Sequence, residues 1–232
     1  MRKTYLLTLL VSLLFCYTSR AQTTKTVDVA QPGTLSSALG EELKTVKDLT
    51  VTGKINAADI EGLIQASALE VLNLTDAAIV DAEGKATTAF PGYTLRKHPT
   101  MTTLSLPKTI TTIGSGAFFK CQKLKKVVLP QTIKKLNETV FMSCSALSDI
   151  NFPDGLESIG RNAFYMTAIT EFTAPKVLKT LGDNALYGTQ ITKAVLNDRL
   201  EKIGQASFAA CKQLAKIEIE NNPNFKLVDG VL

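Results

Sequence analysis

From Leu104 to Lys216 apolar and polar positions recur at a fixed period. Five copies occupy residues 104–126, 127–149, 150–170, 172–192 and 194–216, and a sixth opens with Ile-Glu-Ile-Glu at Ile217. Aligned on Ile113-Gly114, Leu136-Asn137, Ile159-Gly160, Leu181-Gly182 and Ile203-Gly204, they are spaced 23, 23, 22 and 22 residues apart. Each copy opens on an L-x-L element, whose alternation predicts a short strand with one buried face. Pro107, Pro130, Pro153 and Pro175 end that strand in four copies, because proline cannot donate to a ladder; Asn197 stands there in the fifth. Two inward apolar residues follow, Ile110 and Ile113 in the first copy. The glycine position after them, filled once by Asn137, predicts a left-handed or otherwise tight backbone. A small–large pair comes next: Ala117-Phe118, Val140-Phe141, Ala163-Phe164, Ala185-Leu186 and Ser207-Phe208. In stacked coils Phe118, Phe141, Phe164, Leu186 and Phe208 would form one internal file. Cys121, Cys144, Thr167, Thr189 and Cys211 share the last fixed position.

A period in this range means a solenoid or array, in which neighbouring copies bury what no copy can bury alone. The L-x-L-P, I-G, A-F and Cys positions resemble the BspA-like leucine-rich repeat family of bacterial surface and secreted proteins. The resemblance covers about half the chain. It implies an α/β-type solenoid: a right-handed leucine-rich repeat coil with short parallel strands on one face and irregular or short helical segments on the other.

Upstream, residues 1–21 read as a signal peptide. Arg2 and Lys3 precede an apolar run from Tyr5 to Tyr17, and Ser19-Arg20-Ala21 suits cleavage before Gln22. The run is too short to span a bilayer comfortably. Phe15 before Cys16 is too large for a lipidation site. Cleavage removes Arg2, Lys3 and Arg20 and no acid, so the net charge falls from +5 to +2.

Residues 22–47 form an N-terminal cap segment, with a strand at Val27 to Val29, a turn at Pro32-Gly33, and a helix from Leu35 to about Val46 capped by Thr34. Residues 48–103 hold degenerate repeats, with strands at 49–53 and 72–76. Between them, 56–67 reads as a helix presenting Ile60, Leu63 and Ile64 on one face. The resemblance extends to the G-x-I-N-A-x-D tract at 53–59. Leu72 to Leu104 spans 32 residues, more than one period, so 81–100 reads as an insertion loop in which Ala89-Phe90 keeps the A-F position. Residues 217–232 start a sixth repeat or fold back as a makeshift cap.

Candidate chemistry is sparse. The single histidine, His98, lies beside Pro99 with no nucleophile motif near it. Clustered metal ligands and phosphate-cradling glycine loops are absent, so no catalytic, metal or cofactor residues are assigned. Cys121 and Cys144 occupy one slot in adjacent coils and fall within bridging range. Thr167 and Thr189 fill the same slot, which favours buried free thiols. Little in the charge pattern suggests nucleic-acid binding.

Binding would then fall to the outward residues of the strand ladder. One row is Thr103, Lys126, Asp149, Glu171, Lys193 and Lys216; the other is Ser105, Val128, Asn151, Thr173, Val195 and Glu218. Neither row holds an aromatic residue, and the chain has no tryptophan. That argues against a carbohydrate-stacking platform and against a strong protein hot spot. The expected protein is a non-enzymatic, exported, secreted or cell-surface binding module. The family resemblance implies adhesion to a protein ligand, from host matrix or from another bacterial surface protein. A structural subunit of an envelope complex is the alternative, and an exported enzyme ranks behind both.

Overall fold

The computed structural model describes residues 23–219 and 221–226. The signal peptide, the Gln22 start and the strand expected from Val228 lie outside the described residues. The chain winds into stacked coils whose strands pair in parallel with those of the next coil. A first ladder takes Thr24–Val29, Asp48–Ile55, Val71–Asn73, Thr103–Ser105, Lys126–Val128 and Asp149–Ile150 in that order. Leu49, Leu72, Leu104, Val127 and Ile150 stand opposite one another in successive strands, so the L-x-L alternation becomes an inward column. The ladder breaks there and resumes with Glu171–Thr173, Lys193–Leu196 and Lys216–Ile219. The break coincides with the first shortened connection. Cys121 and Cys144 stand five positions before the next strand, whereas Thr167 stands four before it. Phe152 fills the corner, edge-on to Phe164 at 5.5 Å and to Phe172 at 5.3 Å.

Where irregular or short helical segments were expected, the coils carry a second parallel ladder. It runs through Ala89–Phe90, Thr112–Ile113, Lys135–Leu136, Ser158–Ile159, Thr180–Leu181 and Lys202–Ile203. Two-residue strands are too short for alternation to reveal them. Among the described residues the α-helices, α1 (Leu35–Leu39) and α2 (Ala57–Gly62), belong to the first coils alone. The fold is a parallel-strand solenoid with few helices.

A third set of hydrogen bonds joins the turns. The amides of Gly116, Phe118 and Lys120 donate to the carbonyls of Glu138, Val140 and Met142 in the next coil at 2.9–3.0 Å. To aim alternate amides forward, each turn places two residues at positive φ. These are Gly116 and Lys120, then Thr139 and Ser143, Asn162 and Met166, Asn184 and Gly188, and Ala206 and Ala210. The left-handed backbone expected at the Ile-Gly glycine therefore sits two and six residues further on. Gly114, Gly160, Gly182 and Gly204 serve close approach instead. A Cβ on Gly182 would meet the Arg161 amide nitrogen at 2.6 Å, and one on Gly204 would meet the Asp183 nitrogen at 2.2 Å. Asn137 adopts no positive φ, so its substitution for glycine does not reflect a left-handed requirement.

The supposed insertion loop is largely another turn of the coil. Phe90 pairs in register with Ile113, and Tyr93, Leu95 and Lys97 donate to Ser115, Ala117 and Phe119 as their counterparts do further along. Phe90 thus takes the isoleucine position, not the A-F position, which falls to Thr94-Leu95. The extra residues cluster earlier, where Ala77–Ile79 pairs with Asp48–Ile55 and Asp81 closes a turn on Glu83 and Lys85.

In the cap segment α1 is shorter than expected and continues as a 3-10 turn, Gly40–Lys44. Thr34 does not cap it; the Thr34 hydroxyl donates to the Gln31 carbonyl. Asp59 does so from the next coil. Its carboxylate accepts the amides of Gly33 at 2.7 Å, Leu35 at 2.9 Å and Asn56 at 3.0 Å, and Asn56 caps α2 in return. The G-x-I-N-A-x-D tract therefore ties two coils together. Ile60 and Leu63 are buried as expected, but Ile64 is 37 % exposed, because the chain tightens to a 3-10 turn at Leu63–Gln65.

The core is one cluster running the length of the stack. Phe118 and Phe141 stack at 5.3 Å with 12° between planes, and Phe141 and Phe164 at 5.5 Å with 14°. Leu186 continues the file, and Phe208 ends it half-buried.

Candidate contact faces and the slot row

Of the two outward rows expected on the first ladder, all but Asn151 lie on paired strands, but much of their polarity is already used. Lys126 meets Asp149 at 2.8 Å, Lys193 meets Glu218 at 2.8 Å, and Lys216 meets Glu218 at 2.7 Å. Hydrogen bonds from Lys193 and Lys216 hold the Glu218 carboxyl below its usual range. Asn151 is not free. Its amide accepts from the Leu129 amide at 2.7 Å and donates to the Leu129 carbonyl at 2.8 Å, so its side chain extends the pairing where the ladder breaks. Thr103, Ser105, Val195 and Glu218 are half-buried, and Lys126, Val128, Asp149, Glu171, Thr173, Lys193 and Lys216 are exposed.

The second ladder carries a surface that sequence patterning missed. Lys135, Ser158, Thr180 and Lys202 point outward from its strands and line a groove of about 750 Å³. Along its other wall lie Asn137, Glu138, Arg161 and Asp183, with Arg161 and Glu138 paired at 3.1 Å. The glycine row makes the groove possible, since side chains on Gly160 and Gly182 would collide with the backbone of the preceding coil. The signal that could have revealed it is the hydroxyl or lysine residue before each aligned pair: Thr112, Lys135, Ser158, Thr180 and Lys202.

The shared cysteine slot is internal. The Cys121 thiol donates to the Leu95 carbonyl at 3.0 Å, and Cys144 donates to Phe118 at 3.1 Å. Thr167 and Thr189 make the equivalent hydroxyl bonds within their own turns. All three described cysteines are free and buried. Burial pushes the Cys144 thiol well up, with a further rise from its contact with Cys121. His98 occupies the same slot one coil earlier, 23 residues before Cys121. Its Nδ1 accepts the Met101 amide at 3.1 Å, which leaves Nε2 to donate to the Leu63 carbonyl at 3.1 Å. Burial lowers its pKa, partly offset by the Leu63 bond. It is a structural histidine, 1 % exposed. Among the described residues no group of three or more His, Cys, Asp or Glu is arranged to hold a metal.

The BspA type leucine-rich repeat region matches residues 88–215 in six copies, more than half of the 232 residues. The chain belongs to this repeat family. The matched region begins at Thr88, one residue before the second ladder starts at Ala89. Three solved structures are similar. A leucine-rich repeat protein from Bacteroides ovatus is 27 % identical with a TM-score of 0.53, over 57 % of this chain and 35 % of that one. The T. pallidum leucine-rich repeat protein gives 21 % and 0.57, over 68 % and 71 %. A leucine-rich cell surface protein from Faecalibacterium prausnitzii gives 20 % and 0.51, over 63 % and 46 %. The chain thus spans about a third of the B. ovatus protein. No curated protein matches it. Among the described residues no helix is long and apolar enough to cross a membrane.

Proposed function

We propose that the chain is a non-enzymatic protein-binding module of the bacterial cell surface, and that the groove over the second ladder is its contact face. The observation that carries this is the groove itself: it crosses several coils and offers Lys135 and Lys202 without an acidic partner among the described residues. On the first ladder the counterpart lysines are paired within the protein, and breaking those pairs would offset part of any gain from a ligand. The repeat family and the cell-surface description of the F. prausnitzii relative support placement outside the cell. Family membership alone does not assign an activity. The test is capture by the mature chain of proteins from host matrix and from the producer's envelope. Lys135→Glu with Lys202→Glu should abolish a capture that Lys126→Glu with Lys193→Glu leaves intact; the reverse result returns the site to the first ladder.

The half-buried Phe208, Leu214, Ile217 and Phe225 favour a second reading, an assembly subunit that docks by the last described coil. Capture of an envelope protein that survives the groove substitutions but is lost with Phe225→Asp would select it.

A further inference from the structure

The charge is segregated along the stack. Between Glu83 and Glu138 there is no acidic residue, yet ten lysines and arginines lie in that stretch. Three of them reach acids outside it: Lys108 to Asp76, Lys126 to Asp149, and Lys134 to Glu157. The others form no ion pair among the described residues. Three of these converge on one cavity of about 250 Å³, whose walls are Lys97, Lys120, Lys123, Gln122 and Pro99, over the buried His98.

We propose that this cavity is a binding site for a tetrahedral oxyanion, a phosphate or sulfate monoester group. Its placement is built into the backbone. Lys97 and Lys120 occupy the same left-handed position in consecutive coils, each at φ 58°. Their amides are fixed by bonds to Phe119 and Met142 at 2.7 and 2.9 Å. Coils further on place Ser143, Met166, Gly188 and Ala210 at this position, so the two lysines meet only here. Glycine suits such a backbone best, and lysine there is not explained by conformation. The ammonium of Lys120 also lies 5.1 Å from the centroid of the Phe119 ring, which restricts where it can swing. Three ammonium groups and an amide donor match an anion with several oxygens around one centre; no guanidinium lines the cavity to favour a planar carboxylate. The cavity is too small for a folded partner and suits one head group with its first waters. His98 adds shape and not charge, since both of its ring nitrogens already have partners. This site is separate from the groove, and its lysines take no part in the contact face proposed above.

The experiment is equilibrium binding to the full chain of inorganic phosphate, a sulfated oligosaccharide, and phosphatidylcholine vesicles with and without phosphatidic acid. The comparison is with the triple variant Lys97→Gln, Lys120→Gln, Lys123→Gln, and with Lys44→Gln, Lys54→Gln, Lys85→Gln as the control, three exposed lysines that line neither the cavity nor the groove. At least one probe should bind about tenfold or more weakly to the triple variant and unchanged to the control, with affinity falling as salt rises. Which probe does so identifies the source of the oxyanion. Unchanged far-UV circular dichroism of the exposed-lysine variant separates loss of binding from loss of fold. Equal loss in the control would reduce the site to general surface charge and overturn the proposal, as would no binding of any probe or binding indifferent to the three lysines.

Discussion

Truncating Phe141 tests whether neighbouring coils supply the core. The ring is fully buried between Phe118 at 5.3 Å and Phe164 at 5.5 Å, nearly parallel to both. Removing a buried phenylalanine costs about 3–5 kcal/mol, counting transfer and the cavity left behind. Two aromatic neighbours, each worth about 0.5–1.5 kcal/mol beyond area, place Phe141→Ala toward the upper end of that range. Phe141→Leu should cost only about 1–2 kcal/mol, because leucine fills most of the volume and Leu186 already holds this position in the file. Phe208→Ala should cost about 1–2 kcal/mol, since the ring is half-buried and less apolar area returns to water. Urea unfolding followed by far-UV circular dichroism is the assay, as the chain has no tryptophan. With a slope of about 2 kcal/mol per molar, Phe141→Ala should lower the midpoint by about 2 M, and Phe208→Ala by less than about 1 M. Equal shifts for the two alanine variants, or a Phe141→Ala cost below about 1.5 kcal/mol, would refute the claim that burial is shared along the file.

Other perturbations probe the backbone and the caps. Gly182→Ala forces a methyl onto Arg161 and Gly160 backbone atoms at 2.6 Å, so denaturant unfolding should show a loss of about 1–3 kcal/mol. Ala206→Gly should instead stabilise by about 0.5–1 kcal/mol in the same assay, because it relieves a left-handed alanine at φ 54°. Asp59→Ala strips three amides of their acceptor, and calorimetry should record a loss of at least about 2 kcal/mol. Burial depresses the His98 pKa, so its neutral form favours the fold. That contribution is complete above about pH 6.5 and is lost as pH falls from there toward the lower folded-state value. His98→Cys, which installs the residue of the next two coils, should flatten this part of the stability–pH curve; a curve unchanged from the parent would remove His98 as its source.

The period, the inward L-x-L column and the phenylalanine file were legible because each rests on side-chain volume recurring at fixed offsets. What escaped notice was set by backbone geometry. The strands at Thr112–Ile113 and Ser158–Ile159 are two residues long, and no periodicity marks a strand that short. Thr139, Ser143 and Met166 sit at positive φ although none announces it, because the amide bond each donates to the next coil outweighs the local preference. Gly114 and Gly160 stand out in the repeat, but what their sites lack is room for a Cβ, and neither occupies left-handed space. The contact surfaces were the least legible. Outward residues can be enumerated from alternation, but which of them are already paired, as Asn151 is to Leu129, depends on where the ladder breaks.

The separation of stability from surface chemistry follows from the same geometry. Inter-coil ion pairs such as Lys126–Asp149, Glu138–Arg161 and Asp154–Lys176 are exposed, and pairs of that kind contribute about 0–1 kcal/mol each. They set local charge, not cohesion, which comes from the buried file and three runs of peptide hydrogen bonds. One turn position shows the consequence. Lys97, Lys120, Ser143, Met166, Gly188 and Ala210 share one backbone conformation, with φ between 57° and 65°, yet differ in charge, size and polarity. A position whose backbone role is constant while its side chain is unconstrained can acquire chemistry in one or two coils without disturbing the others. Recognition in such a stack is therefore expected as patches spanning two to four coils, as in the basic cavity and the groove, and not as a property repeated along the whole face.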